Sequence, residues 1–174
     1  MKVIILYKKL FHYRIPIFKL LAESVDLTVA YSLGKGTEEK LNFKVLQIPI
    51  LKLGRFVIHK KNILKLCNEY DVVIAYGDIA WVKLSTLPFR KNKSFKVIFW
   101  SPGVSASYDK KFDFVTKWDT VRDFFYRKAD ALVFYTDYPI NKYINRGFDE
   151  ERLFVAPNTV QVLAKQNVNI SAKD

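Results

Sequence analysis

The residues best equipped for chemistry lie in short turns, each directly behind an apolar run. His12, Tyr13 and Arg14 follow VIILY (3–7), and Gly77 and Asp78 follow VVIAY (72–76). Ser101, Pro102 and Gly103 follow VIFW (97–100), and Thr136 and Asp137 follow ALVFY (131–135). An arginine beside helix-start N–H groups suits an anion such as phosphate; the rival role for His12, Tyr13 and Arg14 is to cap loop backbone. Gly77 permits a sharp turn, and Asp78 either caps a following helix or binds a hydroxyl-bearing ligand. Thr136 and Asp137 face the same choice, with capping the plainer reading. The small, polar stretch from Ser101 to Ser107 reads as an exposed, shaped loop of the kind that serves sites.

Several chemistries lack their signatures. There is neither a G-x-G-x-x-G fingerprint nor a P-loop, which disfavours a nicotinamide or ATP site of the usual kind. No G-x-S-x-G elbow occurs, and His12 and His59 are the only histidines, so a Ser-His-Asp hydrolase is disfavoured too. The single cysteine, Cys67, allows no internal disulfide and no zinc-ligand set; it reads as a small buried residue in a protein of the reducing cytoplasm.

The elements that must position these turns are legible as an alternation. Apolar runs rich in Val, Ile, Phe and Tyr occur at 3–7, 26–32, 43–50, 72–76, 97–100, 131–135 and 153–157. Most are apolar at successive positions, which suits strands of a parallel sheet covered on both faces. Helical spacing is read between them: after Pro16, over about 56–70, over about 111–128, and from Thr136 to a stop at Gly147. Strand–helix alternation predicts an α/β fold, a Rossmann-like doubly wound and mainly parallel sheet with helices on both faces. Ligands of such sheets bind beyond the C-terminal ends of the strands, where the polar turns above fall. Residues 1–160 read as one domain, and 161–174 as an interdomain linker or disordered tail.

Charge narrows the partner. Lys and Arg number 29 against 17 Asp and Glu, a net charge of +12 that favours an anionic membrane surface, nucleic acid or a phosphorylated substrate. Local basic density comes from Arg55, Lys60, Lys61 and Lys65 and from Arg90, Lys91 and Lys93. These are either solvated faces or a surface for anionic lipid headgroups, each residue contributing about 1 kcal/mol. Trp81, Trp100 and Trp118 sit in apolar patterns and read as core. No apolar run reaches the roughly 18–20 residues that span a bilayer. The expectation is a cytoplasmic protein, peripheral at the inner membrane face; a stand-alone basic α/β module binding nucleic acid or an anionic surface is the alternative, although no recognised nucleic-acid motif appears.

Two long stretches carry a family resemblance: VIILYKKLFHYRIPIFKLLAESVDLTVAYS, where a first strand leads through an H-Y-R turn into a helix, and RKADALVFYTDYPINKYINRGFDEERLFVAPNTV, where Ala-Asp precedes a strand, a helix ends at Gly, and a last strand reaches Pro-Asn. Their order and spacing resemble the N-terminal domain of a bacterial GT-B glycosyltransferase of the retaining group called family four or group one, over residues 1 to 160. The resemblance implies two Rossmann-like domains across a cleft, the first receiving a glycan or lipid-linked acceptor in surface polysaccharide synthesis. The second would hold the nucleotide-sugar donor. Its paired glutamates, separated by seven residues, find no match after Glu151, so the donor-binding domain is expected to be absent from this chain and the isolated domain inactive. No cofactor and no metal are expected here. His12, Tyr13, Arg14, Gly77, Asp78, Ser101, Gly103 and Thr136 become candidates for the cleft wall. Many relatives carry a catalytically important His after the strand matching VIFW; Pro102 stands there in this sequence, and no catalytic residue is assigned.

Overall fold

The computed structural model describes residues 1–105, 113–114 and 116–157. The strands are β1 (Lys2–Lys9), β2 (Asp26–Leu33), β3 (Lys44–Gln47), β4 (Ile50–Leu53), β5 (Phe56–His59), β6 (Val72–Tyr76), β7 (Lys96–Ser101), β8 (Ala131–Phe134) and β9 (Leu153–Val155). The helices are α1 (Ile15–Leu21), α2 (Ile63–Cys67), α3 (Val82–Ser85), α4 (Lys117–Tyr126) and α5 (Tyr138–Asn145). Seven strands form one sheet in the order β3-β2-β1-β6-β7-β8-β9, and every pairing within it is parallel.

The sheet is parallel because its central strands are apolar on both faces. Val3 to Tyr7 are all buried, with Ile4 and Ile5 fully so. Side chains alternate between two cores: Ile4, Leu6, Val73, Ala75, Val97, Phe99, Leu132 and Phe134 face α2 to α5. Val3, Ile5, Tyr7, Val29 and Trp100 face the other way, against Ile15 and Phe18 of α1. Each fully buried aliphatic or aromatic side chain contributes about 1.5–3 kcal/mol, so the doubly covered sheet is the main source of stability. The chain winds outward through β1, β2 and β3, then returns to β6 beside β1 and winds the opposite way. That reversal opens a crevice at the C-terminal ends of β1 and β6.

The seven apolar runs all supply strands to this sheet, and Gly147 ends α5 with φ +76° and the Phe148 N–H bonded to the Tyr143 carbonyl. Residues 56–70 depart from the expected helix. Its first part is β5, which pairs antiparallel with β4 across a two-residue turn at Gly54 and Arg55. Gly54 has φ +57°, which a Gly-first hairpin turn requires. Helix begins only at Ile63, after Asn62 accepts the Lys65 N–H. Similarly α4 starts at Lys117 instead of near 111, behind a capping box in which Thr116 and Asp119 satisfy each other's backbone; residues 111 and 112, like the tail at 161–174, lie outside the described residues.

His59, at the end of β5, is 2% exposed, packs 5.4 Å from the Trp81 ring and has a buried Nδ1 without a hydrogen-bond partner. Burial, aided by the charge of Lys83, lowers its pKa from 6.5 to about 4. The folded chain thus keeps His59 neutral while the unfolded chain protonates it below pH 6.5. Stability should be lost progressively between pH 6.5 and pH 4, by roughly 3 kcal/mol at the limit. Denaturant titrations across that range should show this loss in the native chain and a flatter curve in His59→Leu.

Candidate functional site

Two groups of side chains meet at the C-terminal ends of the strands. The first lines an open cleft of about 330 Å³ between the β4–β5 hairpin, the end of β6 and the start of α4. Arg55 projects from the hairpin turn and lays its guanidinium 4.2 Å from the Trp118 ring centroid. Gly77 and Asp78 form the cleft edge behind β6, with Tyr76 beside them and Pro102 beyond β7. One Asp78 carboxylate oxygen accepts the Ala80 N–H at 2.9 Å, so the residue shapes its own turn while also lining the cleft. Trp118, expected in the core, is instead 43% exposed. It sits in the first turn of α4, and the T-x-x-D spacing of Thr116 and Asp119 was the signal that fixes where that turn begins.

Behind the cleft stands a charged wall that sequence reasoning missed. Asp119 is buried and accepts hydrogen bonds from Ser105 Oγ and Arg122 Nη2, each at 2.9 Å. Arg122 Nη1 also reaches Ser105 Oγ at 3.2 Å. Arg146 lies 3.8 Å from Asp119 and 3.0 Å from Asp123. Burial alone would raise the Asp119 pKa, but the Ser105 hydrogen bond, Arg122 and the Thr116 backbone outweigh it and hold the carboxyl below its usual range. Its partners come from α4, α5 and the loop after β7, which sequence spacing alone does not bring together.

Beneath the cleft floor, Ser101 and Gly103 are buried and serve geometry. The Tyr126 hydroxyl lies 2.5 Å from the Gly77 carbonyl and 2.8 Å from Ser101 Oγ. A carbonyl only accepts, so the tyrosyl proton goes to Gly77, while Ser101 returns its own proton to Tyr126 and accepts the Gly103 N–H at 3.1 Å. Gly103 has φ +71°, and a Cβ there would meet Phe134 Cδ1 at 2.6 Å, so no larger residue fits without displacement.

The second group surrounds the first turn. His12 is exposed, Tyr13 half-buried and Arg14 only 1% exposed. Neither the 3-10 turn His12–Arg14 nor α1 has a side-chain cap, so these three residues do not cap their own helix starts. The Arg14 guanidinium carbon lies 4.4 Å from the Tyr7 ring centroid, 4.5 Å from Trp100 and 5.1 Å from Tyr135. Tyr7 and Tyr135 join their hydroxyls at 2.7 Å, and burial raises the Tyr7 pKa far above its ordinary value. Tyr76 links the two groups: it lines the cleft and meets the Tyr7 ring at 5.0 Å. Thr136 is exposed at the end of β8, and neither it nor Asp137 caps α5 through a side chain.

Of the basic candidates, Arg55 belongs to the cleft. Lys60 and Arg90 converge with Lys83 around a separate depression of about 430 Å³. Lys61, Lys65 and Lys91 are exposed, while Lys93 is half-buried and pairs with Asp130 at 3.6 Å. Among the described residues no group of three or more His, Cys, Asp or Glu could hold a metal ion.

The fold is a Rossmann-like α/β domain, with the candidate cleft beyond the C-terminal ends of β6 and β7. No protein-family model matches the sequence, and no curated relative does. Among solved structures, the chain is similar to Anabaena Alr3699/HepE in complex with UDP, at 13% identity and a TM-score of 0.61, and to the same protein with UDP and glucose, at 14% and 0.62. In each case the match covers 91% of this chain and 44% of that one, so the chain spans less than half the length of the structures it matches. At this identity the likeness shows the fold alone.

Removing the Tyr126 hydroxyl leaves the part-buried Gly77 carbonyl and the Ser101 O–H without their partner, and such groups cost about 1–3 kcal/mol. Urea denaturation of Tyr126→Phe should show a loss of that size. A double-mutant cycle with Ser101→Ala should give a coupling well above zero.

Proposed function

We propose that this chain is the acceptor-side domain of a retaining glycosyltransferase, the N-terminal half of a GT-B enzyme. It would receive a glycan or lipid-linked acceptor, in surface polysaccharide synthesis, for a sugar carried by a nucleotide-sugar on a second domain. The observation that carries the reading is the cleft beyond β6. Its volume falls at the small end of ligand sites, and it offers a carboxylate at Asp78, a half-exposed indole at Trp118 and a cation at Arg55. An aromatic face packs on the apolar side of a sugar ring, and a carboxylate accepts hydrogen bonds from its hydroxyls. Support comes from the shared fold with HepE, which was solved with UDP and with UDP and glucose, and from the sequence resemblance over residues 1 to 160. Domain closure would bring the acceptor hydroxyl to the anomeric carbon and exclude water. Basic groups and helix N-termini would neutralise the departing diphosphate.

The test is transfer from UDP-glucose by the complete gene product, with the 174-residue chain alone expected to be inactive. Trp118→Ala and Asp78→Asn should each lower kcat/KM for the acceptor roughly tenfold or more while leaving the donor KM within about twofold. Unchanged kinetics in both variants would remove this cleft from the site.

A cytoplasmic location at the inner membrane face is supported by a surface beside the cleft. Phe124, 58% exposed, stacks on Phe89 at 5.0 Å, with Val121 and Trp118 also exposed on α4. Arg90 and Lys91 follow Phe89, and Lys117 and Lys128 flank α4; all four are exposed. Aromatic rings framed by cations match the chemistry of an anionic lipid surface. No helix among the described residues is long and apolar enough to cross a membrane. The chain should therefore sediment with vesicles containing phosphatidylglycerol and not with neutral ones. Phe124→Asp should weaken that binding at least severalfold, and retention on nucleic acid with no vesicle binding would favour the basic-module reading instead.

A further inference from the structure

We infer that Arg14 and Trp100 form a socket for an oxyanion, a carboxylate or a phosphate carried by the acceptor; the inference rests on the acceptor-side reading for what the anion is attached to. Arg14 Nε and Nη1 are buried without a hydrogen-bond partner, and so is Trp100 Nε1. The Arg14 guanidinium carbon lies 4.5 Å from the Trp100 ring centroid, so the unmet Arg14 donors belong to a residue packed against the one that carries the unmet indole N–H. No described carboxylate pairs with Lys8, Lys9 or Arg14.

The rings around Arg14 answer its charge but not its hydrogen bonds. An aromatic face attracts a guanidinium through its quadrupole, yet it offers no strong acceptor to N–H donors, and a buried charge lacking acceptors destabilises the fold. Were Arg14 only a filler between Tyr7, Trp100 and Tyr135, an apolar side chain of similar length would do as well or better. A planar fork held rigidly by rings is instead preorganised for the two oxygens of a carboxylate or phosphate. Position agrees: Tyr7 and Trp100 lie near the C-terminal ends of β1 and β7, on the ligand side of the sheet, and Tyr135 directly follows β8. Tyr13 and Tyr135, whose rings lie 5.9 and 5.1 Å from the guanidinium carbon, are only half-buried, so the cage meets solvent on their side. Lys8, with its Nζ 5.2 Å from the Tyr76 ring, adds a cation at the rim. The substrate class that follows is an acidic acceptor, a uronate or a phosphorylated sugar, in place of a neutral glycan.

The experiment is a melting series on the chain with glucuronate, inorganic phosphate or glucose at constant ionic strength, because a ligand that binds only the folded state raises Tm saturably. Glucuronate or phosphate should do so and glucose should not; a response to glucuronate alone assigns a carboxylate, and one to phosphate alone or to both assigns a phosphate-competent socket. Arg14→Met should abolish the response while melting at or above the native temperature without ligand. Should Arg14→Met fail to fold, Trp100→Phe must weaken the response severalfold. No saturable response in the native chain, a response that survives Arg14→Met, or one untouched by Trp100→Phe overturns the socket. Because binding is read without transfer, an enzyme for neutral acceptors would fail here and still transfer sugar, whereas a socket without transfer would separate the two in the opposite direction.

Discussion

The cleft depends on a single hydroxyl. Tyr126 at the end of α4 reaches the carbonyl that follows β6 and the serine that ends β7, so one oxygen fixes a helix against two neighbouring strands. The contact requires glycine at 77, where a Cβ would come within 2.7 Å of the tyrosyl oxygen and 2.8 Å of Ser101 Cβ. From the same helix, Trp118 and Arg122 line the cleft together with Arg55 of the hairpin and Asp78. Burial pushes the Tyr126 hydroxyl well above its ordinary pKa, which keeps the proton that binds Gly77 in place at any physiological pH.

Electrostatics divides the arginines near the site into two kinds. Arg122 and Arg146 are matched by Asp119 and Asp123 and act as framework. Arg55 and Arg14 are held by aromatic rings and have no described carboxylate partner. A protein of net charge +12 could place unpaired cations anywhere on its surface; placing one in a buried aromatic cage at the C-terminal ends of the strands is a much stronger constraint. Cys67, by contrast, is inert, with its thiol pushed up to about 12 by burial.

Much of the fold was legible because successive apolar residues leave a strand little choice but burial on both faces. The central strands of the large sheet were visible this way, and the ligand side followed from strand direction. The hairpin was hidden because Phe56 and Ile63 fall at helical spacing by coincidence, while the informative residues were Gly54, at the turn, and Asn62, at the helix start. The site was legible only by location. Gly77 and Asp78 do line the cleft, but Ser101 and Gly103, equally polar or small in sequence, lie below it. Whether a turn residue points outward or holds up the floor depends on a tyrosine 49 residues away from Gly77, and no local pattern carries that information. Trp118 was misread because an indole in an apolar pattern looks the same whether it packs inward or forms a wall.

The strand order also governs how the chain can be made. β1 comes first in sequence but lies inside the sheet, between β2 and β6, and its two neighbours arrive at very different times. Val3 pairs with Leu27 on one side and with Val72 on the other. During synthesis at roughly 5–20 residues per second, the first neighbour follows within a few seconds and the second several seconds later. For that interval Ile4 and Leu6 belong to an unfinished sheet with an open apolar edge, which makes the nascent chain, rather than the finished protein, the state most in need of a chaperone.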